Sequence, residues 1–445
     1  MSINLANLEA SSQSLVKAAL KAGADQCDVS VANGHSASVS CRDGKIENTG
    51  RSEGDSFSLR VFVGKKVASV STNQIADLDM LAERAVAMAK VSPEDPFQGL
   101  AGPDEIAKTI PTLEMFDNTT PTNEWLRDFA MEAESAGLGV SGVAKSMGTS
   151  AGWGTSGFVL ATSNGFSGSF IRSGFSCSAM MVSGEGEAME RDYDFTSTVF
   201  LEDLRSAGEI GKTAGERAVK RANPQQVKSG SFPVLFDRRQ TGSFLGAIMG
   251  AINGSSIARK TSFLRDMMGK QIAAANIQVF DDPLRKRGLG SRPFDGEGMP
   301  CEAITFVKDG ILQEWILDGA TARELGLKSN GRASRSGAGT SPTSTNTWIP
   351  NGEKSVVELA KDIGTGFYCT ETIGHGLNMV TGVYSKGASG FWIENGEIAY
   401  PVAGITIAGN LKDMFMSMIV ANDLEFRGST NAPSILMESM TIGGK

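Results

Sequence analysis

Two histidines, His35 and His375, and five cysteines, Cys27, Cys41, Cys177, Cys301 and Cys369, are the whole supply of imidazole and thiol ligands in this 445-residue chain. Two histidines so far apart cannot write an HExxH helix. No CxxC pair occurs, and the cysteine spacings match no zinc finger. An odd number of cysteines in a long chain without an export signal reads as reduced thiols. GxSxG appears as GRSEG around Ser52 and as GTSAG around Ser150. A nucleophile elbow needs a strand turning sharply into a helix, and neither context supplies one, so both read as glycine turns. GLGSRP at Gly288 fails the dinucleotide fingerprint at its last position, and no Walker A motif exists.

Carboxylates cluster twice, in FDDP (Phe280 to Pro283) and in FDGEG (Phe294 to Gly298). Such groups can bind a divalent cation or share a proton. At strand ends they more often cap turns by accepting backbone N–H bonds, which is the favoured reading here. The segment ETIGHGLNMVTGVYSKGASGF, from Glu371, is the most distinctive. His375 lies between two glycines, where backbone can approach a ligand closely, and Asn378, Thr381, Tyr384 and Ser385 follow within ten residues. It reads either as a hydrogen-bonded structural histidine or as a polar cleft wall touching a peptide or a partner subunit. TGSFLGAIMGA, Thr241 to Ala251, stands out for the opposite reason: it has helical spacing and no ionisable group, between the polar runs FDRRQ and NGSSIARK.

Two domains are expected at this length. Leu5 to Ala22 has helical periodicity closed by Gly23, CDVSVANGHSASVSCRDGKIENT alternates as strands, SFSLRVFVGKKVASVST reads as a hairpin turning at Gly64, and Asn73 to Lys90 is helical again. The unit recurs when the sequence from Gly44 is laid over that from Gly165: RS pairs at Arg51 and Arg172, glycines at 54 and 64 against 174 and 184, and helices holding ERAV at Glu83 and Glu216. The fold class is therefore α+β, with residues 1–225 an N-terminal domain of duplicated strand and helix units. Residues 226–445, rich in short strands with turns such as VKDGIL, form a strand-rich, barrel-like C-terminal domain. Between them in character lies 328–351, whose Ser, Thr and Gly content cannot bury an apolar core and reads as a disordered connector or a mobile flap over a cleft.

Net charge is −8 without any basic run, which leaves no footprint for nucleic-acid phosphates. No stretch approaches the ~20 apolar residues that cross a bilayer, and the N-terminus lacks a signal peptide, so no membrane contact and a cytoplasmic location are expected.

GHGLNMVTGVYSKGASGFWIENGEIAYPV, TIAGNLKDMF, APSILMESMTIGG, DDPLRKRGLGSRPFDGEGMP and the N-terminal repeat together resemble the PmbA (TldE) branch of the TldD/PmbA family. The resemblance spans nearly the whole chain. It implies one subunit of a heterodimeric peptidase acting on small or unfolded polypeptides, in peptide maturation and protein turnover. In that family the TldD-type partner holds zinc on a helix reading HExxxH, where two imidazoles bind the metal and the glutamate activates water. The counterparts of that motif here are Gly246 and Ala247, for the first His and the Glu, and Ala251, for the second His. The resemblance thus implies no catalytic residue, no metal ligand and no cofactor in this chain, with zinc in the partner. Positions five apart on an ideal helix lie about 140° from each other, so the metal-bearing version needs a helix end or a local distortion. Two alternatives stand beside this: an independent homodimeric hydrolase using His375 with Asp295 or Glu297, and a stand-alone peptide-binding regulator. A homodimer is also expected of the chain when it is alone.

Overall fold

The computed structural model of the chain describes residues 3–74 and 77–445. Its first half holds α1 (Leu5–Lys21), β1 (Gln26–Arg42), β2 (Lys45–Val63), β3 (Lys66–Thr72) and α2 (Leu78–Val91). A second set follows: α3 (Asn123–Leu138), β4 (Val143–Thr162), β5 (Ser167–Ser183), β6 (Glu190–Thr198) and α4 (Ala207–Lys220). Gly23 and Gly64 take φ of 100° and 57°, which lets the first end α1 and the second turn the β2–β3 hairpin. The second expected helix starts only at Leu78, capped by the Asp77 carboxylate accepting from Met80 N at 3.0 Å. Ile75 and Ala76, in the stretch expected to be helical, lie outside the described residues.

The six strands form one sheet in the order β3-β2-β1-β4-β5-β6, with every neighbouring pair antiparallel. That order is symmetric about the β1–β4 seam, as expected when two copies of one unit pair through their first strands. Gly34 lies opposite Gly54, and Gly154 opposite Gly174, at the same place in each copy. The RS pairs are not equivalent. Arg51 sits three residues before its glycine and Arg172 two, so the two arginines point to opposite faces of the sheet.

Strand alternation divides the sheet. Val29, Val31, Leu59, Val61 and Val159 meet α1 and α2, while Ala179 and Met181 meet α3 and α4. The helices α3 and α4 cross closely, because a Cβ on Gly211 would overlap the Ala133 carbonyl. The opposite face carries Asp28, Arg60 and Leu160 and packs on the second half of the chain.

The second half contains β7 (Gly230–Phe236), α5 (Arg238–Ala251), α6 (Gly254–Ala258), β8 (Val279–Asp281), β9 (Ile304–Lys308), β10 (Ile311–Leu312) and α7 (Gly319–Leu325). Then come β11 (Ala333–Ser336), β12 (Gly339–Pro342), β13 (Thr347–Trp348), α8 (Val356–Ile363), β14 (Gly366–Ile373), β15 (Val383–Glu394) and β16 (Glu397–Asn410). The chain finishes with α9 (Leu411–Met416), β17 (Met418–Val420), β18 (Thr430–Asn431) and β19 (Ile435–Gly443). Strands β16-β15-β14-β7-β19 run in that order, and β16 also pairs with β19 from Thr406↔Gly443 to Ala408↔Thr441, closing a five-stranded barrel. The other end of β19 pairs with the short β17, from Met418↔Met437 to Val420↔Ile435, which ends the sheet. Along β7, Val234 and Phe236 join the large core shared with α5, while Leu235 faces α8.

Residues 328–351 are neither a disordered connector nor a free flap. They form β11, β12 and β13. Arg332 is fully buried, donating through Nε to Asp281 Oδ1 at 2.7 Å and through Nη2 to the Glu302 carbonyl at 2.7 Å. Asp281 also accepts from Thr345 N at 2.6 Å. A satisfied polar network orders this segment where apolar residues are lacking. The hairpin's Arg335 reaches Asp28 at 2.8 Å, and Arg60 holds the other oxygen of Asp28 at 2.6 Å, so the segment ties the two halves together. These arginines keep the fully buried Asp28 carboxyl below its usual range against the opposing effect of burial. Among the described residues, no helix is long and apolar enough to cross a membrane.

Candidate functional site

The stretch without ionisable groups, Thr241 to Ala251, makes up all but the first three residues of α5, which begins where β7 ends. The Asp237 carboxylate caps it, accepting from Arg239 N at 2.9 Å, from Arg239 Nε at 3.0 Å and from the Tyr368 hydroxyl at 2.6 Å. Burial raises this carboxyl, but Arg239 and the hydrogen bonds outweigh it and hold Asp237 below its usual range. One side of α5 is core: Phe244 meets Phe236 edge-on at 4.6 Å, and Leu245 and Ile248 are fully buried. Gly242, Gly246 and Gly250 repeat every four residues and so share the other side. No described atom lies within 4 Å of where a Gly246 Cβ would stand, whereas Met379 Cε lies 3.4 Å from the Gly250 position. Helix backbone is therefore exposed at Gly246, between Gly250 and Gly242, where a Cβ would meet the Thr430 carbonyl at 3.4 Å.

The end of β14 and the loop that leaves it flank this side of α5. Thr372 donates to Gln240 Oε1 through both its backbone N and its hydroxyl, each at 3.1 Å, which pins the end of β14 to the start of α5. Farther along, the Met379 carbonyl accepts from Phe263 N at 2.9 Å beside the end of the helix. His375 is exposed between Gly374, with φ 99°, and Gly376, where a Cβ would overlap the Ser385 carbonyl. Asn378 closes the turn by accepting from Val380 N at 2.9 Å and Thr381 N at 3.1 Å. Asn378, Thr381 and Ser385 are exposed on this rim.

Tyr384 departs from the expected cleft contact. It is 2 % exposed and belongs to the core, its ring 5.6 Å from that of Phe244. Its residue neighbours point outward and Tyr384 inward because β15 alternates. The hydroxyl is buried without a hydrogen-bond partner among the described residues, and burial raises its pKa above the ordinary phenol value.

The three motif counterparts do not share a face. Gly246 is exposed to open space, whereas Ala247 and Ala251 are 5 % and 0 % exposed and lie one turn apart on the buried stripe. A hydrogen atom and two methyl groups offer no lone pair, so these residues do not fit a zinc ion. Among the described residues no group of three or more His, Cys, Asp or Glu side chains is gathered to hold a metal.

Asp295 and Glu297 are enclosed beneath the N-terminal sheet, apart from exposed His375. Asp295 accepts from the backbone N of Glu297 (2.8 Å), Met299 (2.9 Å) and Ala333 (3.0 Å), and Glu297 from Gly319 N at 2.7 Å. They cap turns, as the motif's favoured reading has it. The histidine that does pair with a carboxylate is His35, whose Nδ1 is 3.6 Å from Glu53. All five cysteines are buried, and burial pushes the Cys301 thiol up to about 11 and that of Cys27 to about 12, so these are not thiolate nucleophiles at neutral pH.

One feature of the site has no local signature in the sequence. A cavity of about 670 Å³ opens between the two halves beside the β14 loop, bordered by Arg191 and Arg221 on one side and by Glu371 and Ile373 on the other. Arg221 holds Glu371 at 2.7 Å, and Arg239 of α5 holds Asp192 of β6 at 2.6 Å. The ion pairs join segments far apart in the chain, and only the charged DRRQ run at the start of α5 hints at them.

Three domains of the PmbA/TldA metallopeptidase family match the chain: domain 1 over residues 27–89, the central domain over 116–222 and the C-terminal domain over 229–444. The chain is 34 % identical over 435 residues to a metalloprotease PmbA homolog of Haemophilus influenzae, covering 96 % of this chain and 94 % of that one. Its structure is similar, with TM-score 0.90 and 26 % identity over the full length of both chains, to a Bacteroides thetaiotaomicron protein named as a candidate modulator of DNA gyrase. The fold is shared with TldE from Thermococcus kodakarensis, with TM-score 0.86 and 20 % identity over 97 % of this chain and 99 % of that one.

Proposed function

The chain belongs to the PmbA/TldD metallopeptidase family, and we propose that within it this chain is an accessory, non-catalytic subunit. It pairs with a TldD-type subunit that holds zinc and cleaves, and it contributes a wall of the chamber that receives small or unfolded polypeptides. The observation that carries this reading is α5: Gly246, Ala247 and Ala251 supply no donor atom at the positions that bear His, Glu and His in the metal-bearing subunit. What this chain can do there is bind and position. The glycine side of α5 admits an extended chain close to backbone, and the exposed His375, Asn378, Thr381 and Ser385 rim offers hydrogen bonds to its amides. The buried, unpaired cysteines suit work in a reducing cytoplasm, and the net charge of −8 argues against nucleic acid as a direct ligand. Without its partner the chain forms a homodimer through the same face.

The test is to express the chain with and without a TldD-type relative and to assay cleavage of an unfolded polypeptide. Cleavage by the pair alone, abolished by a chelator and retained in His375→Ala, supports the reading. Cleavage by the isolated chain, lost in His375→Ala, would replace it with the independent hydrolase. Peptide retention by the isolated chain, with no cleavage by the pair, would leave a stand-alone regulator.

A further inference from the structure

We propose that the cavity between the two halves is a receptor for the carboxyl end of a polypeptide, holding its terminal carboxylate at a cationic rim and its last apolar side chains on a methionine-lined floor. The proposal rests on the accessory-subunit reading for its class of ligand. The site itself is separate from the exposed glycine side of α5.

The volume, about 670 Å³, lies within the roughly 300–1,000 Å³ typical of ligand pockets. Its apolar contributors are unusual in their exposure: Met147, Met189 and Ile373 are 40 %, 45 % and 56 % exposed, and all three line this one cavity. Flexible thioethers adapt to varied side chains, which suits a ligand of many sequences.

The charges around them are unequally committed. Arg221, deep in the wall, is satisfied by Glu371 at 2.7 Å and Glu190 at 3.3 Å, so those three groups have little left for a ligand. Three further cations border the cavity. Arg191 is half-exposed and reaches Glu371 only at 3.5 Å, Arg42 meets Glu47 at 3.3 Å, and Lys145 is exposed and takes part in no ion pair among the described residues. The lining as a whole holds four cations (Arg42, Lys145, Arg191, Arg221) and three carboxylates (Asp43, Glu190, Glu371), a cationic excess of one, and Asp43 takes part in no ion pair among the described residues. A one-charge cationic excess, with Lys145 unpaired and Arg191 only loosely held, on a chain of net charge −8 favours an anion, and a guanidinium matches the geometry of a carboxylate. An anion joined to apolar surface, at the end of a flexible chain, is what the carboxyl terminus of an unfolded polypeptide presents.

The position fits the exposed side of α5. Within β14, Thr372 is bonded to Gln240 of α5 while its neighbour Ile373 lines the cavity, so one strand end borders both. A polypeptide anchored by its end in the cavity would pass along the β14 loop toward the open side of α5.

Fluorescence anisotropy of the isolated chain with an N-terminally labelled, otherwise unstructured decapeptide ending in Ala-Leu-Leu tests this. The free acid is expected to bind about tenfold more tightly than its C-terminal amide. Arg191→Gln with Lys145→Gln should remove that difference, and Ile373→Asp should weaken both peptides at least tenfold. All three positions are exposed or half-exposed, and an unchanged circular dichroism melt checks folding. Equal affinity for acid and amide, no binding of either, or loss of binding through Gly246→Trp but not through the cavity variants would each overturn the proposal. Cleavage by the pair is read separately: its persistence while the cavity fails leaves the accessory role intact, and its absence while the cavity binds removes that role alone.

Discussion

Replacing Glu297 by Gln should stabilise the protein at neutral and alkaline pH and leave it unchanged in acid. Glu297 is 4 % exposed, and its Oε2 accepts from Gly319 N at 2.7 Å. Burial first, and then the neighbouring Asp295 charge, push its carboxyl from the ordinary 4.5 up to about 7. Arg60 acts in the opposite direction but is itself bound to Asp28 at 2.6 Å, and Asp318 adds to the upward push. Because the folded pKa is raised, the native state keeps a proton that the unfolded chain loses. The stability this confers is fully present below about 4.5 and is lost as pH rises through about 7. At about 1.4 kcal/mol for each tenfold step, that interval is worth about 3 kcal/mol. The glutamine amide can still accept from Gly319 N and give its own N–H groups to the nearby carboxylates, without any cost of ionisation. Urea unfolding followed by circular dichroism at pH 5, 6, 7 and 8 should show Glu297→Gln gaining on the parent with each step, to about 3 kcal/mol at pH 8. A constant difference across the series, or a parent that gains on the variant toward pH 8, would refute the reasoning.

The two sides of α5 should respond oppositely to added bulk. Gly246→Ala enters open space in a helix interior and should stabilise by about 1 kcal/mol, whereas Ala251→His forces an imidazole into a fully buried site and should cost about 3 kcal/mol or more, both read from urea midpoints. Tyr384→Phe removes a buried hydroxyl without a partner among the described residues and should stabilise by about 1 kcal/mol in the same measurement. Arg335→Ala leaves Asp28 with one of its two arginines and should cost about 3–5 kcal/mol, with faster hydrogen exchange at the β11–β12 hairpin.

What could be read in the sequence was local. The periodicity of Leu5 to Lys21 and the alternation around Val29 and Leu59 specify elements whose faces follow from side-chain spacing alone. The duplicated topology was legible from its glycines because Gly54 and Gly174 occupy the same point of the sheet. The RS pairs misled by one residue, a shift that reverses the face in a strand. The stretch 328–351 departs from the expectation set by its composition, which counts apolar residues, because Arg332, Thr345 and Asn346 are ordered through Asp281 and the backbone around Gly290. Tyr384 was misplaced for want of knowing where β15 begins: the strand starts at Val383, so its neighbours face out and it faces Phe244. Barrel closure by β16 and β19, and the cavity beside Ile373, depend on contacts between distant segments that no short window contains.

The central claim, that α5 is a positioning element and the metal belongs to a partner, is tested most directly by native mass spectrometry of the zinc-loaded chain, alone and mixed with a TldD-type relative. The account predicts no stoichiometric zinc on the isolated chain and one zinc per one-to-one pair, unchanged when Gly246, Ala247 or Ala251 is substituted by Leu in a chain that still assembles. One zinc retained by the isolated chain, and lost on any of those substitutions, would contradict it.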